Sequence, residues 1–319
     1  MFPIQRLRRN RNDERIRDLL AESRPDKSKM IMPVFVSEDA ASPEPISGMK
    51  GIFRYPLSMI GEYCKKLDQS GLGGILLFGV PSRKDEIGSE AYNDNGVVQK
   101  AIREIKKSSK ILIIADLCMC EYTSHGHCGI LRGQNVDNDL TLDSYSKIAL
   151  SYARAGVDVI APSGMMDGQV YTIRKSLDSA GYTGIPIMSY SSKYASSLYG
   201  PFREAAGSTP SFGNRRSYQM DYRNSREAIR ENSIDELEGA DMLMVKPAIF
   251  YLDVIYRSRQ STNLPIAAYS VSGEYAMITS AVESGTLSED FINEALTAPF
   301  RAGADILITY FAESYARTH

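Results

Sequence analysis

Between residues 116 and 131 the chain reads DLCMCEYTSHGHCGIL, which holds three of its four cysteines and two of its three histidines. Cys118, Cys120 and Cys128 follow the spacing C-x-C-x7-C, unlike the paired C-x2-C knuckles of zinc fingers. Three thiolates are a soft ligand set suited to Zn²⁺, and three protein ligands leave the fourth position open, as in catalytic zinc sites. Asp116, Cys118 and Cys120 lie two apart, so on an extended segment their side chains share a face. Gly126 and Gly129 lie in the loop that can return Cys128 to that face. A closed structural site would take its fourth ligand from His125 or His127. Without a metal, the alternative is a redox-reactive thiol cluster.

A second chemistry is written in MLMVKPAIFYLDVI. Lys246 follows four apolar residues and precedes Pro247, which puts an amine at the end of an apolar strand. Burial lowers a lysine's pKa, and a neutral lysine is the nucleophile for Schiff-base chemistry on a ketone. The alternative is a lysine that snorkels to a rim. Lys193, in IPIMSYSSKYASSLYGPFREAAG, is expected three residues past a strand, in a turn rich in Ser and Tyr. Alone it reads as a solvated loop lysine. Beside Lys246 in one cavity it gains meaning, because two ammonium groups depress each other's pKa. Residues 191–224 show no clear period and are long for a loop, which marks a lid. They carry Arg203, Arg215 and Arg216. Any one reads as a surface arginine, but together on a lid they suit a substrate carboxylate.

These groups need a scaffold. Eight short apolar runs alternate with helical segments: 30–36, 74–80, 111–119, 157–163, 185–190, 241–248, 266–272 and 305–311. Continuous apolar runs suit strands covered on both faces, as in a parallel sheet. LDSYSKIALSYARAG, REAIRENSIDELEGA and GEYAMITSAVESG carry apolar residues at helical spacing. Turns such as AGVDV, AGYTGIP, EGADML and AGADIL place a Gly where a helix ends. The α/β TIM (β/α)8 barrel is therefore the expected fold, with catalytic groups at the C-terminal ends of its strands. An open doubly wound sheet is the runner-up, but no Gly-rich dinucleotide fingerprint follows any strand. Residues 1–29 read as an N-terminal arm and 30–319 as the barrel domain.

The bulk properties agree. The 319 residues are 43% hydrophobic and 24% charged, enough for a large core, and the net charge of −2 offers no reason to expect nucleic acid. The basic start has no apolar stretch, so neither an export signal nor a membrane anchor is expected, and its acids argue against a transit peptide. Four cysteines without such a signal read as free thiols in a reducing, cytoplasmic setting. Cys64 reads as a buried thiol without a role.

DLCMCEYTSHGHCGIL, SSKYASSLYGPFREA, SFGNRRSYQMDYRN and GADMLMVKPAIFYLDVI together resemble the porphobilinogen synthase (5-aminolevulinate dehydratase) family, in order along essentially the whole chain. The resemblance implies a TIM-barrel lyase of tetrapyrrole (haem) biosynthesis that condenses two 5-aminolevulinate molecules into porphobilinogen, releasing two waters. Lys246 matches the P-site lysine and Lys193 the A-site lysine. Cys118, Cys120 and Cys128 match the catalytic zinc triad of the zinc-dependent branch, leaving His125 and His127 to form the loop. Three thiolates give zinc a net charge of −1, so it is expected to orient and polarise substrate more than to supply hydroxide. Arg203, Arg215 and Gln219 match A-site carboxylate binders, and Ser272 and Tyr310 the P-site pair. Asp116 and Ser163 match polar active-site positions at the ends of strands three and four. Glu231 matches a ligand of an allosteric Mg²⁺, and the arm matches the segment that embraces a neighbour in a homo-octamer.

Two rival readings remain. A class I aldolase type would use Lys246 and the barrel but leave the thiols and lid arginines idle. A catalytically dead scaffold would need neither the second lysine nor the carboxylate binders.

Overall fold

The computed structural model describes residues 4–318. Residues 1–3 of the expected arm, and His319 at the end of the expected barrel domain, lie outside the described residues. Eight parallel strands form the core: β1 (Met30–Ser37), β2 (Gly74–Val80), β3 (Ile113–Leu117), β4 (Val159–Pro162), β5 (Met188–Lys193), β6 (Met242–Lys246), β7 (Ile266–Tyr269) and β8 (Ile306–Ile308). Each matches one of the apolar runs. Their spatial order is β4-β3-β2-β1-β8-β7-β6-β5. Between β4 and β5 the ring is closed by one bridge, Ile160 to Ile187, where the Ile160 amide donates to the Pro186 carbonyl at 3.1 Å. Helices cover the outside, so both strand faces are dry and nearly every strand residue is buried. This is a (β/α)8 barrel.

The helices begin and end where their sequences say. The helix Asn138–Ala155 is capped by the Asp137 carboxylate, which accepts the Leu140 amide at 3.1 Å. It stops at Gly156, and the helix Arg226–Glu238 stops at Gly239, both in the left-handed region that a side chain disfavours. Among the described residues no helix is long and apolar enough to cross a membrane.

Three sequence expectations need correcting. β3 ends at Leu117, and Cys118 and Cys120 follow in a turn closed by the Tyr122 and Thr123 amides on the Met119 carbonyl. The thiols thus converge through a turn, not along an extended face. β5 runs on to Lys193, which pairs in register with Lys246 and is 5% exposed, so it is no solvated loop lysine. Ser272 and Tyr310 lie past the ends of β7 and β8, Ser272 opening the helix Ser272–Glu283.

The lid is not wholly irregular either: it contains the short helix Gly200–Ala205. The arm holds the short helix Glu14–Leu19 and leaves Ile4, Leu7 and Leu19 at 89%, 66% and 83% exposed.

Candidate active site

All the candidate groups except Glu231 gather at the C-terminal mouth of the barrel, Arg216 at its exposed edge. Cys118, Cys120 and Cys128 are buried, their sulfurs within 4.8 Å of one another and those of Cys118 and Cys120 3.4 Å apart. Among the described residues this is the one group of three or more Cys, His, Asp or Glu side chains close enough to hold a metal ion. Hydrogen bonds from the Cys118 and Cys120 thiols hold the Cys128 thiol well below its ordinary pKa, while burial raises that of Cys118.

Neither histidine is spare for a fourth ligand. His127 uses one ring nitrogen on the Tyr218 hydroxyl and the other on the Phe212 carbonyl, both at 3.1 Å. His125 meets the Glu86 carbonyl at 3.2 Å with Nε2 and accepts the His127 amide at 3.1 Å with Nδ1. The pair ties the thiol loop to the lid. The donor set therefore fits a soft cation held by three thiolates with its fourth side free.

Lys246, at the end of β6, is 4% exposed, and burial first, then the charge of Lys193, brings its amine down to about 7. Aromatic rings surround it, with Nζ 4.1 Å from the Tyr269 centroid, 5.0 Å from Phe202 and 5.3 Å from Tyr199. Lys193 Nζ donates to the Ser163 carbonyl, and the Ser163 hydroxyl donates to Asp116 Oδ2 at 3.0 Å. Burial raises the Asp116 carboxyl, opposed by the charges of Lys193 and Lys246. Asp116 and Ser163 thus link the thiol strand to the lysine strand.

The lid supplies polar atoms that nothing in the protein satisfies. Arg203 Nε, Arg215 Nε and both amide atoms of Gln219 are buried without a hydrogen-bond partner. Arg203, Arg215 and Gln219 line a cavity of about 470 Å³. Arg215 is itself held by donating to the Ser208 carbonyl at 2.6 Å and the Gly126 carbonyl at 3.0 Å. Buried donors left open are costly, so these await an anionic ligand. Arg216 lines the same cavity but is exposed.

On the far side, Ser272 Oγ accepts the Phe202 amide at 3.0 Å and donates to the Leu198 carbonyl at 3.2 Å, pinning the lid to the start of its helix. A Cβ on Gly273 would come within 2.6 Å of that Leu198 oxygen, so only glycine lets the lid lie so close. The Tyr310 hydroxyl meets that of Tyr269 at 3.3 Å.

Glu231 is half-buried on the helix Arg226–Glu238, in an adjoining cavity with Asp167, Glu227 and Asp235 that shares Arg216 and Gln219 with the first. Burial and then the charge of Asp235 push its carboxyl up to about 7. The sequence reading missed the aromatic wall of Tyr190, Tyr199, Phe202 and Tyr269; its signal was the tyrosine-rich composition around Lys193. Glu121 was missed too, a buried acid beside the thiols raised to about 7 by burial and the Asp116 charge.

Comparison with known proteins points one way. The family profile described as delta-aminolevulinic acid dehydratase matches residues 4–318. Curated delta-aminolevulinic acid dehydratases are 49% identical in Methanothermus sociabilis, over 98% of this chain and 97% of that protein, and in Archaeoglobus fulgidus, over 99% and 98%. A crystal structure of delta-aminolevulinic acid dehydratase (porphobilinogen synthase) from Toxoplasma gondii, in complex with its reaction product porphobilinogen, superposes with a TM-score of 0.96 at 42% identity. It covers 100% of this chain and 92% of that one. With fold, motifs and full-length identity in agreement, the chain belongs to the delta-aminolevulinic acid dehydratase family.

Proposed function

We propose that this chain is a lyase that condenses two 5-aminolevulinate molecules asymmetrically into porphobilinogen, releasing two waters, in tetrapyrrole (haem) biosynthesis. One observation carries the reading: two buried lysines pair in register across β5 and β6, and one has its amine brought down to about 7. A large share of Lys246 is then neutral near pH 7 and can attack a ketone. Its imine nitrogen draws electrons from the neighbouring carbon, and Lys193 takes the second substrate in the same way. Arg203, Arg215 and Gln219 hold one substrate carboxylate with their open polar atoms, and Ser272 with Tyr310 holds the other. Asp116, fed by the Ser163 hydroxyl, accepts hydrogen bonds between the two lysines.

The thiol cluster suits zinc, bound by Cys118, Cys120 and Cys128; when bound it supplies Lewis-acid polarisation of the substrate next to it. We assign a regulatory Mg²⁺ to Glu231, whose acidic neighbours favour a cation. The exposed apolar residues of the arm, residues 1–29, suit the barrel of a second copy, residues 30–319, in a homo-octamer. All four cysteines are free, in keeping with a cytoplasmic setting.

A colorimetric pyrrole assay with 5-aminolevulinate, run beside borohydride trapping, tests the function. Pyrrole with imine trapping on lysine supports it. Trapping without pyrrole favours the aldolase reading, and the absence of both favours a scaffold.

A further inference from the structure

Between the two lysines stands a side chain with no role so far. Tyr190 is fully buried on β5, its ring centroid 5.4 Å from Lys193 Nζ and 5.1 Å from Lys246 Nζ. In a regular strand, residues 190 and 193 would face opposite sides. Here Leu243 pairs with Ser189 but Val245 pairs with Ser192, so β5 carries one extra residue, a bulge opposite Met244. Tyr190 and Lys193 consequently both face the cavity. Ser189 and Ser192 turn outward, donating to Asp235 at 2.7 Å and Asn232 at 2.8 Å.

The Tyr190 hydroxyl and Asp116 Oδ1, the oxygen that Ser163 leaves open, make no well-formed hydrogen bond, yet lie close enough for the phenol to donate to the carboxylate. The phenol and the carboxylate are neighbours, since the Asp116 charge acts directly on Tyr190. An unpartnered buried polar group costs about 1–3 kcal/mol, and one kept in a native site calls for an explanation. A donor beside an acceptor, with no well-formed bond between them and both next to amines, matches a ligand group that inserts, accepting from one and donating to the other. A carbinolamine hydroxyl is such a group.

We propose that Tyr190 is a further catalytic residue, donating a hydrogen bond to the hydroxyl oxygen of the carbinolamine formed when lysine adds to the substrate ketone. Asp116 Oδ1 accepts a hydrogen bond from that hydroxyl and returns to it the proton that the nitrogen gives up. Counted from a lysine ammonium and a ketone, the step forms the C=N bond of an iminium cation and breaks the C–O bond. The nitrogen's two lost protons leave with the oxygen as water, so no other reactant is needed. Tyr190 keeps its proton throughout, as burial and the Asp116 charge hold its pKa well above the ordinary value. The proposal rests on the Schiff-base reading above.

The test is Tyr190→Phe in the full-length, zinc-loaded protein, with 5-aminolevulinate and rapid borohydride quenching. Imine formation should slow by about 10–100-fold, the loss of one hydrogen bond to a polarised group. Half-saturation by substrate should stay within about twofold, because binding is left to the carboxylate holders. The melting temperature should hold or rise, because an unpartnered buried hydroxyl is gone. Slower chemistry in a protein no less stable is a pattern that a packing role does not produce. Imine formation at the wild-type rate would overturn the proposal, as would a loss that tracks a lowered melting temperature. Tyr190→Leu, which removes the ring as well, must be no faster than Tyr190→Phe, and a faster rate overturns the proposal. If wild-type protein traps no imine, the Schiff-base reading itself fails and the proposal falls with it; wild-type trapping with an unaffected Tyr190→Phe sinks the proposal alone.

Discussion

The thiol cluster and the lysine pair face one cavity but are assembled by opposite means. Cys118, Cys120 and Cys128 come from a single loop whose turn is local, with its two histidines reaching out to Glu86, Phe212 and Tyr218. Lys193 and Lys246 come from separate strands and meet only because β5 and β6 pair in register within the closed barrel. An ion bound by the loop should therefore be removable with the barrel left standing. The lysine's low pKa, by contrast, is a property of the whole core, since burial is its leading cause.

The largest expected effect is on the lysine side. Lys246→Arg keeps the charge but cannot form an imine, so pyrrole formation should fall by at least about 10³-fold with circular dichroism unchanged. Near-normal porphobilinogen output would rule out covalent catalysis at this residue. Lys193→Arg should be nearly as impaired in pyrrole formation yet still trap one substrate at Lys246, seen as a single mass adduct after borohydride. Loss of all trapping in that variant would show the two roles to be wrongly divided.

Stripping the metal tests the loop side. Chelated protein should lose about 10²–10⁴-fold in pyrrole formation, recover with zinc, and still trap an imine. Its melting temperature should move little, whereas gross unfolding would mean a structural metal instead. A thiophilic ion such as Pb²⁺ should compete at this site and Mg²⁺ should not.

Acid separates the regions more gently. Because Lys246 reacts as the neutral amine, its trapping rate should rise with pH, level off above about 7, and fall about tenfold per unit below. A rate that keeps rising tenfold per unit past pH 8 without levelling would contradict the lowered pKa. The stability linkage has the matching sign. Between about 7 and the ordinary 10.5 the unfolded lysine binds a proton that the folded one does not, so stability should rise with pH across that window. The smallest effect follows from this: Lys246→Met, dead in the assay, should melt a few degrees higher at pH 7 by removing a buried amine, and a lower melting point would refute the cost assigned to it.

The two regions also differ in how legible they were. The thiols announced themselves, because rare residues crowded into one segment are visible without a fold. The eight strands were equally plain, since burial on both faces writes continuous apolar runs. Lys193 was placed beyond its strand because Ser191 and Ser192 look like a turn. In the fold, Ser192 is a strand residue whose hydroxyl is satisfied by Asn232, a partner many residues away that no local pattern reveals. Tyr190 was passed over for a related reason: two-residue alternation sets it opposite Lys193, and only the pairing with β6 exposes the extra residue.

That extra residue gives β5 a tolerance to shortening that its neighbours lack. Many single substitutions along the strand change one side chain and leave the rest in place. Deleting Ser191 would bring Tyr190 and Lys193 to two residues apart, where simple alternation keeps both on one face and leaves the pairing with β6 regular. Drift in this family can therefore lose the bulge and keep both side chains at the site. A strand without a bulge that lost one residue would instead turn its side chains to the other face.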